Sequence, residues 1–428
     1  MGGDVGGDVG GDVGGHAARA PVADVVGDVW RREAPHVLAA LGRRSGDLAD
    51  CEDAAQEALA DAAVQWPRDG VPANPRGWLV RVASRRLVDA QRSDAARPAR
   101  ERRAETDRTS ARPADGATWS DRAGDQDDSL QVLLLCSHPV LSRTSAVALT
   151  LRAVAGLSTE QIAAGLLVPR STAAQRISRA KASLRTAGVR FGPIPPEELA
   201  ARLHAVRHVV HLVLTTGASL PAGPTVLDAD LTGEALRLAE RLHRALPRDP
   251  ETTGLLALAL LTVARAPGRV AAGRLVRLAE QDRSTWDRGA VDRAVSLLEE
   301  ALPHGPVGTF QLQAAIAAVH ATAPAFEDTD WPQVLALYRM LVEVDPHPAS
   351  RLGAAVALAE VEGAEAGLAA VEPLVAARPR DHRPLAVRAH LRSRLGHPGA
   401  AEDFRRAAAL TDSVPEQRYL HAQADALG

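Results

Sequence analysis

Leu166-Leu-Val-Pro-Arg-Ser-Thr-Ala-Ala-Gln-Arg-Ile-Ser-Arg-Ala-Lys-Ala-Ser-Leu-Arg185 combines a short turn with a two-faced basic helix. Steps of three and four from Thr172 bring Gln175, Arg176 and Arg179 onto one face. Ala173, Ile177, Ala180 and Leu184 fall on the other, so one face can pack while its opposite reads DNA. No acidic residue occurs between Gln161 and Arg190, whereas Arg170, Arg176, Arg179, Lys181, Arg185 and Arg190 are basic, a pattern suited to phosphates. Upstream, Ser158 and Gln161 form a capping box, and Ile162, Ala163 and Leu166 give that helix an inward side before Leu167-Val168-Pro169. Pro169 is expected to open the second helix, where its missing N–H is harmless. The whole is a helix-turn-helix whose second helix carries Arg170, Ser171, Thr172, Gln175, Arg176 and Arg179 toward duplex DNA. A plain amphipathic basic helix is the competing reading.

The rest of the chain sets bounds. Its 428 residues suggest two to four domains, and 46% hydrophobic residues are ample for well-formed cores. Aromatics are only 3%, β-branched alternation is scarce and periodic apolar segments recur throughout, so the expected class is all-α. Net charge is −3, which leaves any case for nucleic acid to local patches. Cys51 and Cys136 lie in apolar-periodic context and are expected as small core residues in a reducing cytoplasm. No apolar run approaches the roughly 18 residues needed to span a bilayer. Lys181 is the single lysine, and the abundance of Arg and Ala points to a GC-rich bacterial coding sequence.

Five segments are expected. Residues 1–19 form a Gly-Gly-Asp-Val-repeating tail read as disordered, and 20–92 a compact helical unit. Residues 93–128, rich in Arg, Asp, Ala, Ser and Pro, read as a flexible linker. Residues 129–192 hold the helix-turn-helix, closed by Gly192-Pro-Ile-Pro-Pro196. In 193–428 a spacing of 33 relates Tyr338, Val371 and Phe404, as it does Leu341, Leu374 and Ala407, close to tetratricopeptide spacing. Leu236–Pro250 and Val291–Pro306 are further candidate units; the alternative is an irregular helical bundle.

In the first unit, Leu48, Cys51, Ala55, Leu59 and Ala62 share a helix face, with Asp50, Asp53, Gln56, Glu57 and Asp61 largely elsewhere. A loop from Pro72 to Trp78 then enters a helix dense in arginine. This arrangement resembles region 2 of bacterial sigma-70 factors of the extracytoplasmic-function type. The resemblance implies that Asp50, Asp53, Gln56 and Glu57 dock on the clamp of core RNA polymerase. It implies too that Asn74 and Trp78 in the loop, with Arg81, Arg85, Arg86 and Arg92, meet the −10 element. That chemistry is sensible, since arginine neutralises phosphate and an exposed Trp or Asn can engage an unpaired base. Inward packing is the ordinary alternative for Trp78.

The second unit, with Leu141-Ser-Arg-Thr-Ser-Ala-Val-Ala-Leu-Thr-Leu-Arg152 before the helix-turn-helix, resembles sigma region 4, which reads the −35 element. The long continuation is similar to a subgroup with a C-terminal tetratricopeptide-like extension, through strings such as Leu135-Cys-Ser-His-Pro-Val-Leu141 and Gln311-Leu-Gln-Ala-Ala-Ile-Ala-Ala-Val-His320. His211-Leu-Val-Leu-Thr-Thr-Gly-Ala218 departs from that subgroup's aromatic and Asn-Glu-bearing run, and Arg170 stands where an acidic residue is usual.

The resulting expectation is a cytoplasmic, non-enzymatic initiation factor whose partners are core RNA polymerase, promoter DNA and a protein partner of the C-terminal region, without membrane, cofactor or metal. The rival is a one-component helix-turn-helix regulator with a tetratricopeptide-like sensing region. Against an enzyme, there is no Gly-rich loop ending in Gly-Lys-Ser/Thr, no His-Glu-x-x-His and no Cys-x-x-Cys. His204, His208 and His211 share a helix face at metal-compatible spacing, yet structural histidines are the preferred reading.

Overall fold

The computed structural model describes residues 22–102 and 125–428. Among them lie 18 α-helices and only two pairs of two-residue strands, so the fold is all-α. The first unit comprises α1 (Val22–Ser45), α2 (Leu48–Asp69) and α3 (Pro75–Arg102). Asp47 caps α2 by accepting from the Ala49 N–H at 2.7 Å, and Asn74 caps α3 by accepting from the Gly77 N–H at 2.8 Å. Trp66, near the end of α2, meets Trp78 edge-on at 5.5 Å between ring centroids, fixing the angle at which the chain enters α3.

The helix-turn-helix unit comprises α4 (Asp125–Cys136), α5 (Arg143–Ala153), α6 (Thr159–Gly165) and α7 (Arg170–Thr186). Both halves of the Ser158–Gln161 capping box form, at 3.2 and 2.9 Å. Leu167 in the turn has φ +50, a left-handed conformation uncommon for a bulky residue, and the N–H groups of Leu167 and Val168 close the turn by donating to the Ala164 and Ala163 carbonyls at 3.1 and 3.0 Å. Pro169 takes the cap position before α7, one residue earlier than expected. The stretch expected as a linker is helical at both ends, because α3 runs to Arg102 and α4 starts at Asp125. Its remainder and the Gly-Asp-Val tail lie outside the described residues.

The C-terminal region follows as α8 (Pro196–Ala218), α9 (Ala229–Ala245), α10 (Pro250–Ala264), α11 (Arg288–Ala301) and α12 (Thr309–Thr322). Three helix pairs complete it: α13 (Trp331–Val344) with α14 (Pro348–Val361), α15 (Ala364–Ala377) with α16 (His382–Arg394), and α17 (Ala400–Leu410) with α18 (Val414–Asp425). Tyr338, Val371 and Phe404 sit in the first helix of successive pairs, where the 33-residue spacing put them. Arg388 and Asp403 form a buried pair at 2.7 Å between the last two units. The strand β1 (Ala222–Gly223) lies before α9, and β2 (Val270–Ala271) and β3 (Arg274–Leu275) form a small antiparallel hairpin before α11. The strand β4 (Asp412–Ser413) pairs in parallel with β1, tying the end of the region back to its beginning.

One apolar cluster, from Val26 of α1 to Ala321 of α12, runs through all three units. Polar contacts pin the same junction: the Arg241 guanidinium on α9 donates to the Val154 carbonyl at 2.8 Å and to the Arg31 carbonyl at 2.9 Å. Gly156, at φ +68, lies so close to α1 that a Cβ there would stand 3.0 Å from the Arg31 Cα. Gly42 on α1 leaves room for the Phe191 ring, which a Cβ would meet at 2.1 Å.

Candidate nucleic-acid interface

On α7 the buried residues are Ala173, Ile177, Ala180 and Leu184. Arg170, Ser171, Gln175 and Arg179 are exposed, and Thr172 and Arg176 are half-buried. Arg170 pairs with Glu160 of α6, so its charge is partly neutralised within the motif. The remaining outward surface offers two guanidiniums, an amide and hydroxyls, a set able to hydrogen-bond base edges and phosphates.

Lys181 and Arg185 behave differently. Grouping them with the phosphate-facing arginines is corrected by their position, since both turn from the reading face toward α2. The Lys181 ammonium lies 2.7 Å from Glu52 and also contacts Asp53. Arg185 pairs with Asp50 at 2.5 Å and with Asp47 at 3.4 Å. Glu52 is buried and receives a second cation, Arg152 of α5, at 2.8 Å. Burial, the largest influence on Lys181, opposes its charge, yet Glu52 and Asp53 outweigh it and raise the ammonium above its ordinary range. Burial likewise opposes the charge of Arg185, and Asp47 and Asp50 reverse the balance.

The acidic face expected to dock on polymerase is therefore divided. Asp50 and Asp53 are engaged by α7, while Glu57 faces Arg86 of α3 at 3.7 Å. Gln56 is half-buried, with its side-chain nitrogen lacking a hydrogen-bond partner. Glu52 was not among the expected site residues. Its signal was the step 48, 52, 55, 59, which places a carboxylate within the apolar stripe of α2.

Of the residues assigned to the −10 element, Arg81, Arg85 and Arg92 are exposed along α3. Arg86 is held by Asp61 at 2.7 Å. Asn74 is exposed but occupied as a helix cap, and Trp78 is half-buried against Trp66. The histidines of α8 are not assembled as a metal site: among the described residues no group of three metal-donor side chains converges. His204 and His208 lie with ring centroids 4.1 Å apart, and His208 and His211 both meet the Phe310 ring edge-on at 5.4 Å. Both cysteines are buried, and burial pushes the Cys51 thiol up to about 12. No helix among the described residues is long and apolar enough to cross a membrane.

Two helical modules, an arginine-lined loop–helix and a helix-turn-helix, define a promoter-binding type of protein. Residues 29–97 match Sigma-70 region 2, residues 131–184 match Sigma-70 region 4, and residues 202–302 match a family of unknown function, DUF6596. The chain belongs to the sigma-70 family and is a sigma factor, whose partners are core RNA polymerase and promoter DNA. It is 39% identical over 398 residues to an uncharacterized protein of Rhizobium meliloti (strain 1021), an alignment covering 92% of this chain and 93% of the relative.

Proposed function

We propose that this sigma factor is of the extracytoplasmic-function type, acts in the cytoplasm without enzymatic activity of its own, and is regulated through its tetratricopeptide-like C-terminal region. Region 2 docks on core polymerase through the outer face of α2 and meets the −10 element through Asn74, Trp78, Arg81, Arg85, Arg86 and Arg92. Region 4 reads the −35 element through Arg170, Ser171, Thr172, Gln175, Arg176 and Arg179. Either contact can be weak alone, because joining both modules in one polymerase complex makes the second contact intramolecular.

The observation that carries this reading is the pairing of Asp50 and Asp53 on α2 with Arg185 and Lys181 on α7. The face assigned to polymerase is covered by the module assigned to −35 DNA, which makes this arrangement the closed, resting one. Arg241 of the C-terminal region bonds to backbone carbonyls of both modules, a position from which that region can hold the closed form or release it. Co-elution with sigma-free core polymerase in gel filtration tests the reading. A stoichiometric complex is expected; binding to promoter duplex without any affinity for core would favour a one-component regulator instead.

A further inference from the structure

We propose that the C-terminal region carries a binding site for a small organic anion, in a cavity of about 750 Å³ between α8, α10, α12 and the α13–α14 turn. Arg143 of α5 and Arg383 of α16 also line it, so the cavity lies where the C-terminal region meets the helix-turn-helix unit. Its size falls in the range of sites that hold metabolite-sized ligands, roughly 300–1,000 Å³.

The lining fixes the ligand's charge. Arg143, Arg269 and Arg383 all contribute to the wall, against a single carboxylate, Asp345. Among the described residues Arg269 has no ion pair and no side-chain hydrogen bond. Burial is the one influence on its guanidinium and lowers its pKa, with no carboxylate near enough to offset it. Arg269 is half-buried with no counter-ion of its own, and an anion bound beside it would supply one through charge-assisted hydrogen bonds. Leu258 and Phe310 supply an apolar wall for the body of the ligand. Burial, reinforced by His208, lowers the His211 pKa to about 4, so its neutral ring offers one donor and one acceptor. The chemistry is thus that of an amphiphilic anion, an apolar or aromatic body ending in a carboxylate or phosphoryl group.

The location gives the site a reach beyond the C-terminal region. Arg143 opens α5, and Arg152 at the other end of the same helix holds Glu52. Binding of the anion stands on the cavity alone, whereas an effect on promoter use rests on the sigma reading above.

Calorimetric titration of the full chain with 1-anilinonaphthalene-8-sulfonate, at constant ionic strength, tests the proposal. One dye per chain is expected, with affinity at least tenfold weaker in Arg269→Gln and several-fold weaker in Thr215→Phe, which narrows the cavity from α8. Circular dichroism melting checks that both variants stay folded. Displacement by phenyl phosphate in preference to benzoate would mark a phosphoryl ligand, and the reverse a carboxylate. Dye binding unchanged in both folded variants, or displacement by neither anion, would overturn it.

Discussion

Lys181, the single lysine of the chain, holds its ammonium 2.7 Å from the carboxylate of Glu52, 129 residues earlier. The carboxylate is 3% exposed and the lysine 15%, so solvent screens the pair weakly. Arg152 approaches the other oxygen of Glu52 at 2.8 Å, and α2, α5 and α7 thereby converge on one buried charge. An ionic joint of this kind adds less net stability than its distances suggest, because three groups are desolvated to make it. It does set the register of region 4 on region 2.

Glu52→Gln leaves two cations facing a neutral amide. Breaking a buried pair on one side costs about 3–5 kcal/mol. Urea unfolding should show a loss of that order; a change below 1 kcal/mol would mean that the joint relaxes without penalty.

Lys181→Gln acts on the closed form more gently, by freeing Asp53 and half of the Glu52 pairing. Affinity for core polymerase should rise several-fold, since the α2 face no longer has to be released from α7. Equal or weaker binding would show that α7 does not compete with core.

Arg176→Ala and Arg179→Ala should weaken −35 recognition. A bidentate base contact contributes roughly 1–3 kcal/mol of discrimination, whereas a lost phosphate contact weakens all sequences and lowers the salt slope by about one. Duplex binding at two salt concentrations separates the two roles, and wild-type behaviour in both variants would misplace the reading face.

Asn74 serves as the α3 cap and is assigned to the −10 element. Asn74→Ser keeps a capping oxygen and loses the amide, so stability should hold while promoter melting falls. Asn74→Ala should lose both, with about 0.5–2 kcal/mol of stability. Promoter melting by Asn74→Ser equal to wild type would confine Asn74 to the cap.

Burial lowers the pKa values of His211, His320 and His390 to about 4. Each imidazole is neutral in the fold but protonates near 6.5 when unfolded, so its contribution is complete above pH 6.5 and lost progressively as pH falls toward 4. Unfolding free energy should decline across that window before most carboxylates titrate. His390 accepts from or donates to the Tyr419 hydroxyl at 2.8 Å, and His390→Gln, which keeps a polar partner, should flatten part of the decline. An unchanged slope would assign the acid sensitivity elsewhere.

The sequence resolved what local periodicity governs. Ala173, Ile177, Ala180 and Leu184 are buried as their spacing required, and the capping box of Ser158 and Gln161 forms because both halves lie within one turn. The ionic joint was not legible, since a charged side chain on a helix surface looks the same whether it meets water, phosphate or another helix 129 residues away. Spacing alone groups Lys181 and Arg185 with the phosphate-facing residues for that reason. Trp78 allows either packing or stacking in the sequence, and in the fold its half-buried ring lies edge-on to Trp66. The hairpin at 270–275 has strands of two residues, too short for alternation to register. The cavity is lined by residues as far apart in the chain as Arg143, His211, Phe310 and Arg383, which no local pattern brings together.

Run-off transcription from the DNA upstream of this chain's own gene, with and without sigma-free core polymerase from a GC-rich bacterium, tests the central claim most directly. Specific initiation only when both components are present, and at lower factor concentration with Lys181→Gln than with wild type, is the expected result. Absence of initiation by either form, under conditions where both still bind promoter duplex, would contradict it.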